Sequence, residues 1–391
     1  MLLGELFIFG QMFYIRQHIL RIIEQYQLQV PLHHYLRSYF KKQPKLGSRD
    51  RRSIADAVYA FYRAKPFLEK GNDTLEDVQK ALLWVNTENV FLRKVFHLDA
   101  VTAWHQTPTF HEPLPELSVG LSFVDYAASL LQQPNVFIRL MHRELENLQK
   151  VLHHFKEAEV INTPFFKNRT IRLPGNCQLQ NILQECDYIV QDLSSQLTLQ
   201  IALSHPDLKE QPQSRALQVW DVCSGAGGKS ILLKSILPNA AIVATDIRES
   251  ILHNLRSRIA LYKLPPIVTL KADVAVGADV VKPHAPFDFI ICDVPCSGSG
   301  TWARNPEQHY FFNPDTLTRF TQQQNRIALN AWQHLKPGGY LCYITCSVFK
   351  AENENIVEQL TTTTEGKLLH QQIINGMQQQ ADSMFMALLK K

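Results

Sequence analysis

The sequence predicts an α/β fold in which a doubly wound sheet fills the second half of the chain. From Ala216 onward, apolar strand-like runs alternate with helical patterns, as they do where helices cover both faces of a mostly parallel sheet. A glycine-rich segment, DVCSGAGGKS (221–230), joins the first run to its helix, and Cys296 and Cys346 follow two later runs. Ligands bind at the carboxyl edge of such sheets, so these features indicate a site at that edge.

The alternating region predicts a domain over residues 206–391. Its strands are expected at 216–223, 241–247, 267–273, 287–294 and 339–346. Its helices are expected at 229–237, 249–264 and 318–335.

The N-terminal part of the chain has a helical pattern. Between residues 14 and 104, apolar positions recur at three- and four-residue spacing, which predicts an all-α domain. Ser48 is expected to cap one of its helices. The apolar face of that helix runs through Ile54, Ala57, Val58 and Phe61, and its polar side carries Arg51, Arg52 and Arg63.

This helical region is strongly basic. Residues 14–65 hold eleven Lys/Arg and three acids, although the whole chain carries only +4. Such a concentration favours contact with a polyanion, since each phosphate neutralised releases counterions. A solvated helix face would give the same composition. We expect Arg49, Arg51 and Arg52 to contact such a polyanion.

A small α+β domain is predicted between the helical region and the sheet. The Pro-containing stretch 105–118 is the expected linker, and 119–205 the domain. Strands are expected at 134–141 and 169–174, with a helix at 144–160. The segment 188–203 leads into a helix with Asp192, Ser194 or Ser195 available as its cap.

Composition argues against other classes of protein. The seven cysteines lack the dense regular spacing of a disulfide framework, so we expect a reducing cytoplasm. The apolar start of the chain lacks the features of a signal peptide and is too short to span a bilayer, so we expect no membrane contact. Residues 1–13 are interpreted as a possible over-extended start, and the protein is expected to be a monomer.

The glycine-rich segment predicts a nucleotide-type cofactor. Gly225, Gly227 and Gly228 permit positive φ and close approach of a ligand to the backbone. Asp246, Asp273 and Asp293 end the next three predicted strands and would project from the same edge. The spacing is not that of an ATP-binding phosphate loop. A nicotinamide would leave two thiols without a role, so S-adenosylmethionine fits better.

The two cysteines predict chemistry on a pyrimidine. Carbon 5 of a pyrimidine is a poor nucleophile until a thiolate adds at carbon 6. A base then removes the carbon-5 proton and the thiolate leaves, a step that a second cysteine could serve. A zinc site is disfavoured because both pairs, 292/296 and 342/346, have CxxxC spacing in extended chain. Cys292 and Cys342 lie inside strands and are expected to be buried.

These motifs resemble the RNA cytosine-5 methyltransferases of the RsmB/Sun type. The resemblance rests on the glycine loop, Asp246, Asp273, DVPCSGSGTWARNPE (293–307) and KPGGYLCYITCSVFKAENENIV (336–357). It extends upstream through VQDLSSQ (190–196) and the basic helical segment, which resembles the NusB-like RNA-binding domain of that family. The resemblance thus implies a Rossmann-like methyltransferase domain behind a NusB-like domain and a small α+β domain.

By position, the resemblance assigns roles to individual residues. Cys346 would be the nucleophile and Cys296 would help to release the product. Asp293 would hydrogen-bond the cytosine, and Lys229 would orient this acid or the base. S-adenosylmethionine would be held by Cys223, Ser224, Gly225, Ala226, Gly227, Gly228, Lys229, Asp246, Asp273 and Asp293. No metal is implied.

Two departures and three alternatives accompany this interpretation. Gly225 and Ala226 stand where the family has Ala/Ser and Pro, and Ser383 and Met384 replace a Gly and Phe, which is expected to affect the closing strand more than the chemistry. DNA cytosine methyltransferases use the cysteine of the proline-cysteine motif as nucleophile, which would exchange the two thiols' roles. Ribosomal RNA is the expected substrate and transfer RNA the alternative. A non-catalytic RNA-binding or ribosome-assembly factor is the third.

Overall fold

The computed structural model describes residues 2–69, 73–100, 108–111, 113–175, 177–209 and 216–391. Over these residues the chain divides into two compact units. The first lies within residues 1–114, 123–133 and 302–312, and the second within 115–122, 134–301 and 313–391. Two segments expected in the α+β and methyltransferase domains, 123–133 and 302–312, thus belong to the helical unit.

Helices and strands are numbered here in chain order. The helices are α1 Leu2–Gln25, α2 Leu32–Lys41, α3 Ser48–Ala64, α4 Leu75–Trp84, α5 Val90–Val95, α6 Phe123–Leu130, α7 Glu144–His154, α8 Leu193–Leu203, α9 Pro206–Lys209, α10 Gly228–Ile236, α11 Glu249–Leu261, α12 Pro306–Tyr310, α13 Asp315–Gln333 and α14 Glu354–Thr364. The strands are β1 Val136–Leu140, β2 Glu159–Ile161, β3 Thr170–Leu173, β4 Tyr188–Val190, β5 Gln218–Asp221, β6 Ala241–Asp246, β7 Val268–Lys271, β8 Phe287–Asp293, β9 Leu335–Thr345, β10 Lys367–Ile374 and β11 Met384–Lys390. Each described helix is too short or too polar to cross a membrane.

The helical unit packs around the apolar faces of α1 and α3. Ile15, Ile19 and Ile22 of α1 are fully buried. The predicted apolar face of α3 is buried as well, at Ile54, Ala57, Val58 and Phe61. The predicted cap of α3 is wrong: Gly47 is the N-cap residue, Ser48 is the first helical residue, and no side chain caps the helix.

The basic residues of α3 differ in their surroundings. Arg49 and Arg52 are exposed, and the Arg49 guanidinium lies 4.8 Å from the centre of the Phe91 ring. The Arg51 Nε donates a hydrogen bond to the Leu46 carbonyl oxygen. Arg63 does not lie on an open polar side, because burial lowers the pKa of its guanidinium to about 10 and its Nε donates to the carbonyl oxygen of Ala303.

The second unit begins with a four-stranded antiparallel sheet in the order β2-β3-β1-β4. The predicted strands at 134–141 and 169–174 are present as β1 and β3. The predicted helix over 144–160 is wrong in its last part: α7 ends at His154, and residues 159–161 form β2 instead. Pairing of β2 with β3 outweighs the helical preference of the intervening sequence.

The predicted linker, residues 105–118, is hydrogen-bonded to the rest of the second unit at its C-terminal end. Residues 105–107 and 112 lie outside the described residues. Leu117 pairs with Phe349 in an isolated antiparallel bridge, and the Ser118 amide donates to the carbonyl oxygen of Val348. The end of this stretch is therefore held against the segment that follows β9.

A seven-stranded sheet forms the centre of the second unit, in the order β10-β11-β9-β8-β5-β6-β7. The five strands predicted from the sequence, β5 to β9, pair in parallel. The antiparallel hairpin of β10 and β11 extends the sheet beyond β9. In a parallel arrangement the residues after β5, β6, β8 and β9 meet at one edge.

Both faces of this sheet are covered by helices, as a doubly wound fold requires. Trp220, Ile290 and Leu341 face a core shared with α13 and α14. Val219 and Ile291, on the opposite face, share a core with α8 and α10. The helix α8, which the sequence placed in the α+β domain, therefore packs on the methyltransferase-like sheet.

Candidate active site

The glycine-rich loop connects β5 to α10 in a conformation that needs glycine. Gly225 and Gly227 have φ of +52° and +83°. A Cβ on Gly227 would lie 2.1 Å from Cδ1 of Leu255, whereas a Cβ on Gly225 would meet nothing within 4 Å. Gly227 is thus fixed by packing of the loop against α11, while Gly225 leaves open space above the backbone.

Four carboxylates converge on the beginning of this loop. Burial and the charges of Asp221, Asp293, Asp246 and Asp273 raise the pKa of the Cys223 thiol. Asp221 itself is fully buried under the loop, where it accepts a 2.6 Å hydrogen bond from the Ser230 hydroxyl. Burial raises the pKa of Asp221 to about 7. The three acids singled out from the sequence, Asp246, Asp273 and Asp293, therefore all lie near the Cys223 thiol.

Asp246 is the acid most directly joined to the loop. Its Oδ2 accepts a hydrogen bond of 3.1 Å from the Gly225 amide, and its Oδ1 accepts from the Arg248 amide and Nε. Burial opposes its negative charge, but the hydrogen bonds from Arg248 and Gly225 outweigh burial and lower the pKa of this carboxyl. Asp273 lies two residues beyond β7, and its Oδ1 accepts from the Ala275 amide.

Lys229 and Asp293 form a close ion pair at the same edge. The Lys229 Nζ lies 2.6 Å from Oδ2 of Asp293, and the lysine side chain is 6% exposed. Burial opposes the ammonium charge, but Asp293 outweighs it, so the pKa of Lys229 is raised. The Cys346 thiol is also close enough to Lys229 to favour its charged form. The lysine therefore places a positive charge near both the carboxylate and this thiol.

The two cysteines singled out from the sequence are in contact. Their Sγ atoms lie 3.3 Å apart, and both side chains are partly buried. Cys346 follows the last residue of β9, and Cys296 lies three residues beyond the end of β8. The hydrogen bond with Cys346 and burial raise the pKa of the Cys296 thiol well above its usual range. The geometry thus places a Cys296 thiol that resists ionisation against Cys346.

Cys292 and Cys342 are fully buried within β8 and β9, as expected. Burial raises the pKa of both thiols. Their side chains belong to cores on opposite faces of the sheet. Among the described residues there is no group of three or more His, Cys, Asp or Glu that could hold a metal ion.

A buried glutamate beside the thiols was missed in the sequence. Glu352 is fully buried, and its carboxylate accepts hydrogen bonds from Ser297, Ser347 and Gln324. The sequence feature that could have indicated Glu352 is its position six residues after Cys346, in a segment with two acids and two asparagines. Sequence alone does not distinguish a buried acid in such a segment from an exposed one.

The backbone of Ser383 contacts the loop that carries Cys296. Its amide donates a 2.9 Å hydrogen bond to the carbonyl oxygen of Gly300, whose own amide donates to the carbonyl oxygen of Cys346. A Cβ on Gly300 would lie 1.9 Å from the Ser383 carbonyl oxygen. The residue before the closing strand β11 therefore supports the loop that carries Cys296.

The site combines a glycine loop with converging carboxylates, a buried ion pair and a thiol pair, all in the second unit. Such an arrangement can bind a cationic nucleotide-like ligand and attack an electrophilic carbon with a thiol. Arg49, Arg51 and Arg52, the residues expected to contact RNA, lie in the helical unit.

Much of the chain is similar to known proteins. Residues 208–389 match the family described as 16S rRNA methyltransferase RsmB/F. Ribosomal RNA small subunit methyltransferase B of Proteus mirabilis is 28% identical over 265 residues, which are 66% of this chain and 60% of that protein. The chain spans 35% to 60% of the length of the first curated relatives that it matches.

Solved structures show the same fold. The crystal structure of PH0851 has a TM-score of 0.66 at 18% identity and covers 96% of this chain and 98% of its own. A methyltransferase homologue from Pyrococcus horikoshii has a TM-score of 0.56 at 18% identity, over 82% of this chain and 100% of its own. The resemblance to the RsmB/Sun type that the motifs indicated is confirmed, and residues 208–389 are similar to the RsmB/F family of methyltransferases.

Proposed function

We propose that this protein methylates carbon 5 of cytosine in RNA, with S-adenosylmethionine as methyl donor. The observation that carries the proposal is the contact between Cys296 and Cys346, 3.3 Å apart beside the Lys229–Asp293 ion pair. Methylation of an oxygen or an exocyclic amine needs no thiol, whereas attack by carbon 5 of a pyrimidine needs a nucleophile at carbon 6.

The residues around the glycine loop fit S-adenosylmethionine. When bound, this cofactor supplies a methyl group on a positively charged sulfonium. The carboxylates that surround Cys223 favour a cationic ligand, and the space above Gly225 leaves the backbone open to it. Residues 223–229 would hold the cofactor together with Asp246, Asp273 and Asp293. The carboxylate of Asp246 suits the ribose hydroxyls.

The two thiols have different roles in this mechanism. Cys346, as thiolate, forms a bond to carbon 6 of cytosine, and the displaced electron pair makes carbon 5 nucleophilic. Asp293, held by Lys229, hydrogen-bonds the ring and stabilises its activated form. Carbon 5 takes up the methyl group and then loses its proton to a base. The electrons of that C–H bond restore the ring double bond as the sulfur of Cys346 leaves, assisted by Cys296.

The resistance of Cys296 to ionisation supports Cys346 as the nucleophile. The raised pKa of Cys296 favours its protonated form, which is the poorer nucleophile. A thiolate at Cys346 would favour the charged form of Lys229, so the two charges attract each other. If the thiols had the roles that they have in DNA cytosine methyltransferases, Cys296 would instead have to be the thiolate.

Ribosomal RNA is the substrate class that we propose. The matching family and the Proteus mirabilis relative are both described as ribosomal RNA methyltransferases. A basic helical unit would contact the phosphates through Arg49, Arg51 and Arg52, and the target base would be flipped out of the RNA to reach Cys346. Transfer RNA remains the alternative substrate within the same reaction.

Covalent trapping tests this function. Wild type, Cys296→Ser and Cys346→Ser are incubated with unmodified ribosomal RNA and labelled S-adenosylmethionine, and protein–RNA bands are sought on a denaturing gel. We expect methyl transfer by wild type and a covalent band with Cys296→Ser alone. Cys186→Ser, which changes a cysteine outside the site, should behave as wild type.

Other outcomes would replace the proposal. A band with Cys346→Ser alone would exchange the roles of the thiols. Methyl transfer to transfer RNA but not to ribosomal RNA would change the substrate. Binding of both RNAs without methyl transfer to either would favour the non-catalytic alternative.

A further inference from the structure

Glu352 is a buried carboxylate surrounded by hydrogen-bond donors. Its Oε1 accepts from the Ser297 amide at 2.8 Å and from the Gln324 Nε2 at 2.9 Å. Its Oε2 accepts from the hydroxyls of Ser297 and Ser347, both at 2.5 Å. Four hydrogen bonds accepted by two oxygens are what an ionised carboxylate provides. The interior around Glu352 is therefore arranged to hold a carboxylate.

The donors of Glu352 belong to both cysteine motifs. Ser297 directly follows Cys296, and Ser347 directly follows Cys346. Gln324, on α13, donates a second hydrogen bond to the carbonyl oxygen of Pro295, the residue before Cys296. One carboxylate thus fixes the chain on both sides of Cys296 and immediately after Cys346.

Glu352 and Lys229 act on different members of the thiol pair. The hydrogen bond with Cys346 and burial have the largest effects on the pKa of Cys296. The charge of Glu352 adds a smaller effect in the same direction and also disfavours the Cys296 thiolate. Lys229, paired with Asp293, acts on Cys346. Tyr343 also faces Cys296, and burial raises its pKa, so it remains neutral. A proton shared between the thiols is therefore drawn toward Cys296.

We propose that Glu352 is the positioning residue that holds the two thiols in contact, so that when the pair releases one proton to solvent the remaining proton stays on Cys296 and Cys346 is the thiolate. This inference rests on the proposed function, because it explains how the nucleophile of that reaction is generated. The carboxylate acts through Ser297, Ser347 and its charge.

The substitution Glu352→Gln tests the charge with little change of shape. The serine hydroxyls accept as well as donate hydrogen bonds, so the Gln amide nitrogen can take the place of Oε2 and the amide oxygen that of Oε1. Glu354→Gln is the matched control. Glu354 lies two residues further along and also accepts from a backbone amide and a serine hydroxyl, those of Val119 and Ser118.

The readout is alkylation of the free enzyme by iodoacetamide between pH 6 and 9, which requires neither RNA nor cofactor. The thiolate displaces iodide, and mass spectrometry of the peptides gives separate rates for Cys346 and Cys296. In wild type and Glu354→Gln we expect faster alkylation of Cys346. In Glu352→Gln the ratio of the Cys346 rate to the Cys296 rate should fall about tenfold, equivalent to about 1.4 kcal/mol in proton placement.

Glu352→Asp changes the packing of the side chain but keeps its charge. It also tests the role of the carboxylate charge if Glu352→Gln does not fold. It keeps the carboxylate charge, so the wild-type preference for Cys346 should persist. Loss of that preference in Glu352→Asp, or an unchanged ratio and pH profile in Glu352→Gln, would overturn the proposal. Because the assay needs no methyl transfer, its result is distinct from the covalent-trapping test of the proposed function.

Discussion

The amide of Gly300 donates a 2.9 Å hydrogen bond to the carbonyl oxygen of Cys346, which joins the backbones of the two cysteine loops. The same glycine leaves no room for a Cβ, which would lie 1.9 Å from the Ser383 carbonyl oxygen. Contact between the thiols therefore depends on a glycine four residues beyond Cys296.

Gly300→Ala should separate the thiol pair. The added methyl group must displace backbone, so we expect a loss of stability of about 1–3 kcal/mol. Disulfide formation between Cys296 and Cys346 by oxidised dithiothreitol should slow about tenfold or more, because the bond demands a narrow geometry. Thermal unfolding and peptide mapping measure the two effects.

Gly277→Ala is the control for this change. A Cβ at Gly277 meets nothing within 4 Å, and its φ is not in the left-handed region. Equal cross-linking rates in Gly300→Ala and wild type would show that the Gly300 hydrogen bond does not set the spacing of the thiols.

Asp293→Asn should impair catalysis more than stability. The substitution leaves the Lys229 ammonium without its charged partner, at a cost of about 1–3 kcal/mol, since Asp293 is partly exposed. If Asp293 stabilises the activated ring, methyl transfer should fall by about 100-fold or more. Single-turnover methyl transfer and thermal unfolding give the two numbers.

Asp288→Asn provides a matched comparison. Asp288 lies on the same strand and pairs with Lys336 at 2.8 Å. We expect a similar loss of stability and little loss of methyl transfer. If both variants lose activity in proportion to stability, Asp293 has only a structural role.

Gly225→Ala should weaken cofactor binding without a packing clash. Its φ of +52° costs about 1–2 kcal/mol for a residue with a Cβ, but no atom lies within 4 Å of that Cβ. The methyl group would occupy the open space above the loop. We expect the affinity for S-adenosylhomocysteine, measured by calorimetry, to fall at least about tenfold.

Gly338→Ala has a comparable backbone conformation, with φ of +75° and no atom within 4 Å. It should lose similar stability and, as it has no part in the proposed site, bind S-adenosylhomocysteine as wild type does. Undiminished binding by Gly225→Ala would place the cofactor away from this glycine.

Asp221 should make stability depend on pH. Burial raises its pKa from 3.8 to about 7. Between these values the folded protein retains a proton that the unfolded chain has lost, so the contribution is complete below pH 3.8 and lost as pH rises through 7. Over that window the slope reaches at most about 1.4 kcal/mol per pH unit.

Denaturant unfolding of wild type and Asp221→Asn at pH 5.0 and 7.5 measures this contribution. The free energy of unfolding of wild type relative to Asp221→Asn should decrease between the two values. The amide introduced by this substitution does not titrate, so the difference between the two proteins isolates this one carboxyl. If the free energy of unfolding changed equally in the two proteins between pH 5.0 and 7.5, Asp221 would be ionised throughout this range.

The sequence was informative where function depends on local pattern. An apolar run followed by glycines predicts a strand, a loop and a helix, and acids at strand ends converge in any parallel sheet. Lys229 and Asp293 could therefore be expected near each other. The thiol contact could also be expected, because β8 and β9 are neighbours in the sheet.

Other features depend on contacts that no local pattern encodes. The strand β2 is three residues long and lies in a stretch with helical preference, so only its pairing with β3 identifies it. Glu352 is distinguished from Glu354 by burial alone. The support of Gly300 by Ser383 joins positions far apart in the chain, and a departure from the family pattern at Ser383 gave no indication of it.

The support by Ser383 also bears on synthesis of the protein. Ribosomes make the chain from its N-terminus, so Cys296 and Cys346 are present before Ser383, Met384 and the strand β11 that follows. Until that strand has emerged and paired with β9, the Cys296 loop lacks one of its two backbone anchors. The nascent chain therefore carries both reactive thiols before it can hold them in their final arrangement.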